Sequence, residues 1–122
     1  MFEVSVTAGF AAAHTLRFYK GKCERLHGHN WKVEVTLQGG ELDKIGVVYD
    51  FTELKKVLNG VIEELDHRNL NDVTGFKNIN PTSENIARYI YMRMKHDLAG
   101  TSAKLLKVKV WESDTSAAAY RP

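Results

Sequence analysis

Two long stretches of this chain alternate apolar and polar residues with a period of two, a pattern that a half-buried β-strand keeps and a helix does not. In the first, Phe2, Val4, Val6, Ala8, Phe10 and Ala12 share one face against Glu3, Ser5 and Thr7, and His14 continues the apolar face. In the second, Trp31, Val33, Val35 and Leu37 stand against Lys32, Glu34, Thr36 and Gln38. Projected backwards, the second parity puts His27 and His29 on the apolar side. Gly39-Gly40 closes the run as a turn.

The period then changes. Asp50 precedes Phe51, Leu54, Val57, Leu58, Val61, Ile62 and Leu65, a helical stripe with Asp50 as N-cap and Glu53 three residues on, as in a capping box. Gly60 weakens this helix without ending it. Gly75 through Pro81 reads as loop. Thr82 caps a second helix with Glu84 in its first turn and Ile86, Ile90, Met94 and Leu98 inward. Leu106, Val108 and Val110 then oppose Lys107 and Lys109 in another half-buried strand, and Ala117 to Tyr120 forms a short last one. The order β-β-α-α-β-β predicts an α+β fold, a four-stranded antiparallel sheet with two helices on one face.

Residues 1–122, 43% of them hydrophobic, suffice for a single domain with one core. The chain shows neither an apolar leader nor a membrane-length apolar run. Cys23 is the single cysteine. A disulfide framework is therefore excluded, and a reducing, cytoplasmic setting is expected. Seventeen Lys and Arg against 15 Asp and Glu is too even a balance for a nucleic-acid protein. Locally, Arg17, Lys20, Lys22 and Arg25 surround Cys23 with only Glu24 opposing. That cluster suits a phosphorylated metabolite and a lowered thiol pKa, or is simply a solvated basic loop.

His27-Gly28-His29 is the most specific local feature. Residues two apart on a strand point to one side, so both imidazoles can reach one ion, and His14 on the neighbouring strand is the natural third ligand. Imidazole ligation favours zinc among the divalent ions. The alternative is a bend at Gly28 with hydrogen-bonded histidines at a half-buried surface. Cys23, four positions before His27, is either a fourth ligand or a reactive group beside the metal. Asp66-His67 is either a helix terminus or a carboxylate–imidazole pair that exchanges protons with a thiol. His96 falls in a polar section of its helix and reads as a surface residue. Glu112 continues an apolar strand face, so it must reach solvent or accept hydrogen bonds. It is either an ordinary strand-end glutamate or a partner for the N–H edge of a heterocycle.

Taken together, Ala12-Ala13-His14, Cys23-Glu24-Arg25-Leu26-His27-Gly28-His29-Asn30, Leu65-Asp66-His67-Arg68-Asn69-Leu70-Asn71, Pro81-Thr82-Ser83-Glu84-Asn85 and Trp111-Glu112 closely resemble the 6-pyruvoyltetrahydropterin synthase family. Within it the chain is most similar to the 6-carboxy-5,6,7,8-tetrahydropterin synthase branch of queuosine biosynthesis, over nearly its whole length.

The resemblance implies a tunnelling fold in which three subunits close a twelve-stranded barrel and two trimers stack as a homohexamer with interfacial active sites. It implies that His14, His27 and His29 hold Zn2+, that Cys23 exchanges side-chain protons of the substrate, and that Asp66 and His67 of a neighbouring subunit form the relay. Glu112 is implied as pterin anchor, assisted by Thr82, Ser83 and Glu84. The implied substrate is 7,8-dihydroneopterin triphosphate, converted with water to 6-carboxytetrahydropterin, acetaldehyde and triphosphate. The three residues between Cys23 and His27 match this lyase branch. A longer spacing accompanies the alternative branch, which eliminates triphosphate to give 6-pyruvoyltetrahydropterin. A third possibility is a zinc-stabilised oligomeric binding protein without turnover.

Overall fold

The structure, a computed structural model, describes residues 1–22 and 24–122, so Cys23 lies outside the described residues. The two alternating stretches form strands β1 (Phe2–His14) and β2 (His27–Gly39). They pair antiparallel along their whole length, from Phe2 opposite Gly39 to His14 opposite His27. Gly28 sits in regular register opposite Ala13, so no bend separates the two histidines. Helix α1 (Phe51–Ile62) follows, then strand β3 (Arg68–Asn69), helix α2 (Ser83–Asp97) and strands β4 (Lys104–Ser113) and β5 (Ser116–Tyr120).

The strands make one five-stranded sheet in the order β3-β1-β2-β4-β5. The alternating pattern reveals four of them. The fifth, β3, runs parallel to β1 beside Ala12 and Ala13, and two residues are too few to carry a period. The remaining neighbours are antiparallel. A bulge shifts the β2–β4 register so that Leu105, not Leu106, stands opposite Leu37. Leu105 therefore packs on the core, and Leu106 is the extra residue that breaks the simple alternation.

Both helices lie on the face carrying Val6, Phe10, Trp31, Val33, Val35, Val108 and Val110, and Leu54, Leu58, Ile86, Ile90 and Met94 meet those side chains in one core. Each such side chain, fully buried, contributes roughly 1.5–3 kcal/mol. Asp50 caps α1 by accepting from the N–H groups of Thr52 and Glu53. The reciprocal half of the capping box is not formed, because the Glu53 carboxylate pairs with Lys56 at 3.2 Å. Phe51, counted in the apolar stripe, is exposed. Thr82 caps α2 through the Asn85 N–H, and Leu98 closes the buried stripe of that helix. Among the described residues no helix is long and apolar enough to cross a membrane.

Candidate metal centre

The parity that builds the core also builds the site. Because β1 and β2 are in register to their ends, His14 and His27 face each other across the ladder, and His29 stands beside Ala12 on the same face. Trp31, the next residue of that face, is 1% exposed. Its indole donates to the Ala12 carbonyl at 3.1 Å and meets the rings of His14 and His29 edge to face, with centroids 5.0 and 5.1 Å away. The histidines thus stand on a dry aromatic floor that limits their rotation. From β4, Glu112 brings its carboxylate to the same spot, with Oε1 3.3 Å from His14 Nε2 and 3.2 Å from His29 Nε2.

The hydrogen bonds of the outer ring nitrogens fix the tautomers. His14 Nδ1 donates to the Pro81 carbonyl at 2.8 Å, and His27 Nδ1 donates to the Arg25 carbonyl at 2.8 Å. A carbonyl only accepts, so each Nδ1 carries a proton, and the two Nε2 atoms turn towards one another, 3.0 Å apart. His29 Nε2 is buried and makes no hydrogen bond. Burial is the main reason that the His29 pKa lies below its ordinary value; the Glu112 carboxylate pulls the other way, and His14 and His27 add to the lowering.

The four donor atoms lie within 4.8 Å of one another. A tetrahedral zinc with bonds of about 2.0–2.1 Å holds its ligand atoms about 3.3 Å apart. The His14–His27 separation of 3.0 Å is close to that size. His14, His27, His29 and Glu112 thus form a group whose donor atoms could hold a metal ion. The protons on Nδ1, held by backbone carbonyls, are the support that metal-ligating histidines ordinarily have. The residues fit zinc.

At the edge of the sheet, next to this cluster, stands the pair Asp66–His67. Asp66 Oδ1 accepts the Ala11 N–H at 2.9 Å, and Oδ2 takes His67 Nδ1 at 3.0 Å. The Ala11 hydrogen bond is the main reason that the Asp66 pKa lies below its ordinary value, with His67 adding to it. His67 adopts the left-handed conformation, φ 57°, and its own N–H donates to the Ala11 carbonyl at 2.6 Å. A non-glycine residue in that region costs about 1–3 kcal/mol and persists only where its surroundings hold it. Here the result is an imidazole anchored through Nδ1 whose side chain is 83% exposed, leaving Nε2 free to exchange a proton. Adjacent residues meet because the chain turns sharply between them. An open depression is lined by both His29 and His67, with Ala11, Ala13, Gly28 and Asn30 among its other walls.

The remaining candidates fall differently. Cys23 is outside the described residues. Arg17, counted in the basic cluster, is engaged structurally: its guanidinium donates to the carbonyls of Ile79, Asn71 and Phe76 at 3.0, 3.3 and 2.9 Å. Lys20, Lys22 and Arg25 are exposed. The Thr82 hydroxyl serves the helix cap, Ser83 and Glu84 occupy the first turn of α2, and this segment touches the metal cluster through the Pro81 carbonyl. His96 is exposed, as its position on the polar side suggests.

Glu24 reads in the sequence only as a charge opposing the basic cluster, yet its carboxylate comes within 3.8 Å of His27 Nε2. The three-residue spacing could have flagged it, but an irregular segment has no parity from which to read direction.

A family model for 6-pyruvoyl tetrahydropterin synthase matches residues 3–122. The chain is 45% identical to the dihydroneopterin monophosphate aldolase of Pyrococcus furiosus, over 88% of this chain and 86% of that one. It is 40% identical to the 6-carboxy-5,6,7,8-tetrahydropterin synthase of Synechocystis, over 91% and 86%. The solved 6-pyruvoyl tetrahydropterin synthase of Caenorhabditis elegans superposes with a TM-score of 0.87 at 36% identity, covering 99% of this chain and 95% of that one. The family model over residues 3–122, two relatives at 40–45% identity and a superposition that covers almost the whole chain lead to one conclusion: the chain belongs to the 6-pyruvoyl tetrahydropterin synthase family.

Proposed function

We propose that this chain, a single domain over residues 1–122, is a zinc-dependent carbon–carbon lyase. It converts 7,8-dihydroneopterin triphosphate and water to 6-carboxy-5,6,7,8-tetrahydropterin, acetaldehyde and triphosphate, the reaction of queuosine biosynthesis. The observations that carry the reading are the convergence of the His14, His27 and His29 Nε2 atoms and an exposed His67 whose Nδ1 is tied to Asp66. The Synechocystis relative supports the product branch by its name.

His14, His27 and His29 would hold zinc, which supplies Lewis-acid polarisation of a substrate oxygen. The Trp31 floor keeps water from the apolar side of the cluster. Asp66 fixes the proton of His67 on Nδ1, so that Nε2 receives and returns the proton that Cys23 moves on the substrate side chain. Glu112, on the rim of the cluster, accepts from the N–H edge of the pterin, and the Thr82–Glu84 turn borders the ring. The exposure of His67 suits a relay completed by a neighbouring subunit, as in a dimer of trimers. A lone free cysteine suits the cytoplasm.

A second reading has an observation of its own. The Glu24 carboxylate beside His27 is a candidate base. It could take the proton of the side-chain 2′-hydroxyl, upon which the C1′–C2′ bond breaks and C1′ is reprotonated. That is retro-aldol cleavage to a hydroxymethylpterin and a two-carbon aldehyde, in keeping with the name of the Pyrococcus relative.

Incubation of zinc-loaded protein with dihydroneopterin triphosphate, followed by mass identification of the pterin, tests the proposal. A carboxypterin supports it. A pyruvoylpterin, a hydroxymethylpterin or unchanged substrate would each reject it.

A further inference from the structure

β1 ends at His14, and the chain beyond it has no regular strand to pair with. On the side facing β3, alternate residues are met in turn by different partners. The Ala11 N–H and carbonyl go to Asp66 Oδ1 and the His67 N–H, and Ala13 stands opposite Asn69 of β3. There β3 ends, and the chain turns into the short 3-10 helix Leu70–Asp72. The next two rungs are made by side chains. The Thr15 N–H donates to Asn71 Oδ1 at 2.9 Å, and the Thr15 carbonyl accepts from Asn71 Nδ2 at 2.9 Å. The Arg17 N–H donates to Asn80 Oδ1 at 2.8 Å, and the Arg17 carbonyl accepts from Asn80 Nδ2 at 3.0 Å. A carboxamide presents one acceptor and a donor side by side, as a peptide group does, so each asparagine replaces one residue of a missing strand. On the opposite side Leu16 exchanges hydrogen bonds with Glu24, its N–H to Oε1 at 3.3 Å and its carbonyl from the Glu24 N–H at 3.2 Å.

We propose that Asn71 and Asn80 are positioning residues for the metal centre, holding the backbone of Thr15 to Arg17 beyond the end of β1 and so fixing the direction of His14 and the place of Glu24. The connection to His14 is short. The Asn80 side chain grips Arg17, the Asn80 carbonyl accepts from Asn85 Nδ2 at 2.8 Å, and the next carbonyl, that of Pro81, accepts from His14 Nδ1. Loosening Asn80 loosens the acceptor that sets the tautomer and tilt of His14. This inference rests on the reading of His14 as a metal ligand.

Asn71→Asp and Asn80→Asp keep the shape and the acceptor of each amide but set an oxygen against the carbonyl that Nδ2 had served. Full-length parent and variants are loaded with Co2+, and three quantities are read: the visible absorption of the bound cobalt, Zn2+ affinity by chelator competition, and kcat and KM with dihydroneopterin triphosphate. The expected result is displaced cobalt bands, with affinity or kcat lowered roughly 10–100-fold and KM unchanged. Cobalt bands, affinity and kcat per bound metal equal to the parent, with only the melting temperature lowered, would overturn it. Asn71→Ser and Asn80→Ser, whose hydroxyls can meet only one of the two backbone groups, carry the same comparison if an aspartate variant does not fold. A parent protein that turns over no pterin would remove the proposed function, while the cobalt spectrum and the competition assay would still decide the positioning role.

Discussion

His14 and His27 point their Nε2 atoms at each other across 3.0 Å while the Nδ1 atom of each donates to a backbone carbonyl. A divalent cation placed between two nitrogens so oriented would be held by both.

The first prediction concerns the metal. Zinc should raise the thermal stability of the protein, by about 2.7 kcal/mol at a free concentration a hundredfold above Kd. His29→Ala should retain the fold and lose most of this gain, since its buried Nε2 has no hydrogen-bond partner to forfeit. His14→Ala should destabilise even the metal-free protein, because it empties a fully buried position and strands the Pro81 carbonyl, about 1–3 kcal/mol for that acceptor alone. Melting curves with and without zinc check both.

Asp66 has a definite pH signature. Its folded pKa is lowered, chiefly by the Ala11 N–H, so its contribution to stability is complete above the ordinary value of 3.8 and is lost as pH falls through the lowered one. The difference in melting temperature between parent and Asp66→Asn should shrink as pH falls below the ordinary carboxylate value. Turnover at neutral pH should fall roughly 10²–10⁴-fold, the range of general acid–base assistance.

Much of this geometry is legible in the order of the amino acids. Parity alone puts His14, His27, His29 and Glu112 on one face, since a strand offers only two, and the apolar company of Phe10, Trp31 and Val110 says which face is covered. Asp50 and Thr82 mark their helix starts for equally local reasons. The missing parts are those where the chain leaves regular periods. No pattern announces the left-handed turn at His67, the bulge that exchanges Leu105 for Leu106, the two-residue β3, or the attachment of Arg17 to three distant carbonyls. Each depends on partners some 40 to 70 positions away, as Asn80 does for Arg17, and short-range spacing carries no trace of them.

Glu112 sits within reach of the metal cluster. As the pterin anchor, Glu112→Gln should leave zinc affinity unchanged and raise KM or lower kcat/KM by roughly ten- to a hundredfold, as for loss of a charged hydrogen bond worth about 1.5–3 kcal/mol. A drop in zinc affinity with KM unchanged would instead make it a ligand. Chelator competition and steady-state kinetics on the same preparation separate the two.

Thr82 accepts from the Asn85 N–H at 3.1 Å. Thr82→Ala should cost about 1 kcal/mol of stability through the lost cap. If the hydroxyl also borders the pterin ring, KM should rise as well. Denaturant titration and kinetics on the one variant read both effects.

The most direct measurement is acetaldehyde released from dihydroneopterin triphosphate by one protein preparation, first as zinc-loaded enzyme, then after chelation, then after zinc is restored. The expected result is one acetaldehyde per carboxypterin formed, abolished by the chelator and recovered with the metal. Acetaldehyde release that survives complete removal of the metal, or a different pterin formed without acetaldehyde, would contradict a zinc centre of His14, His27 and His29 serving this reaction.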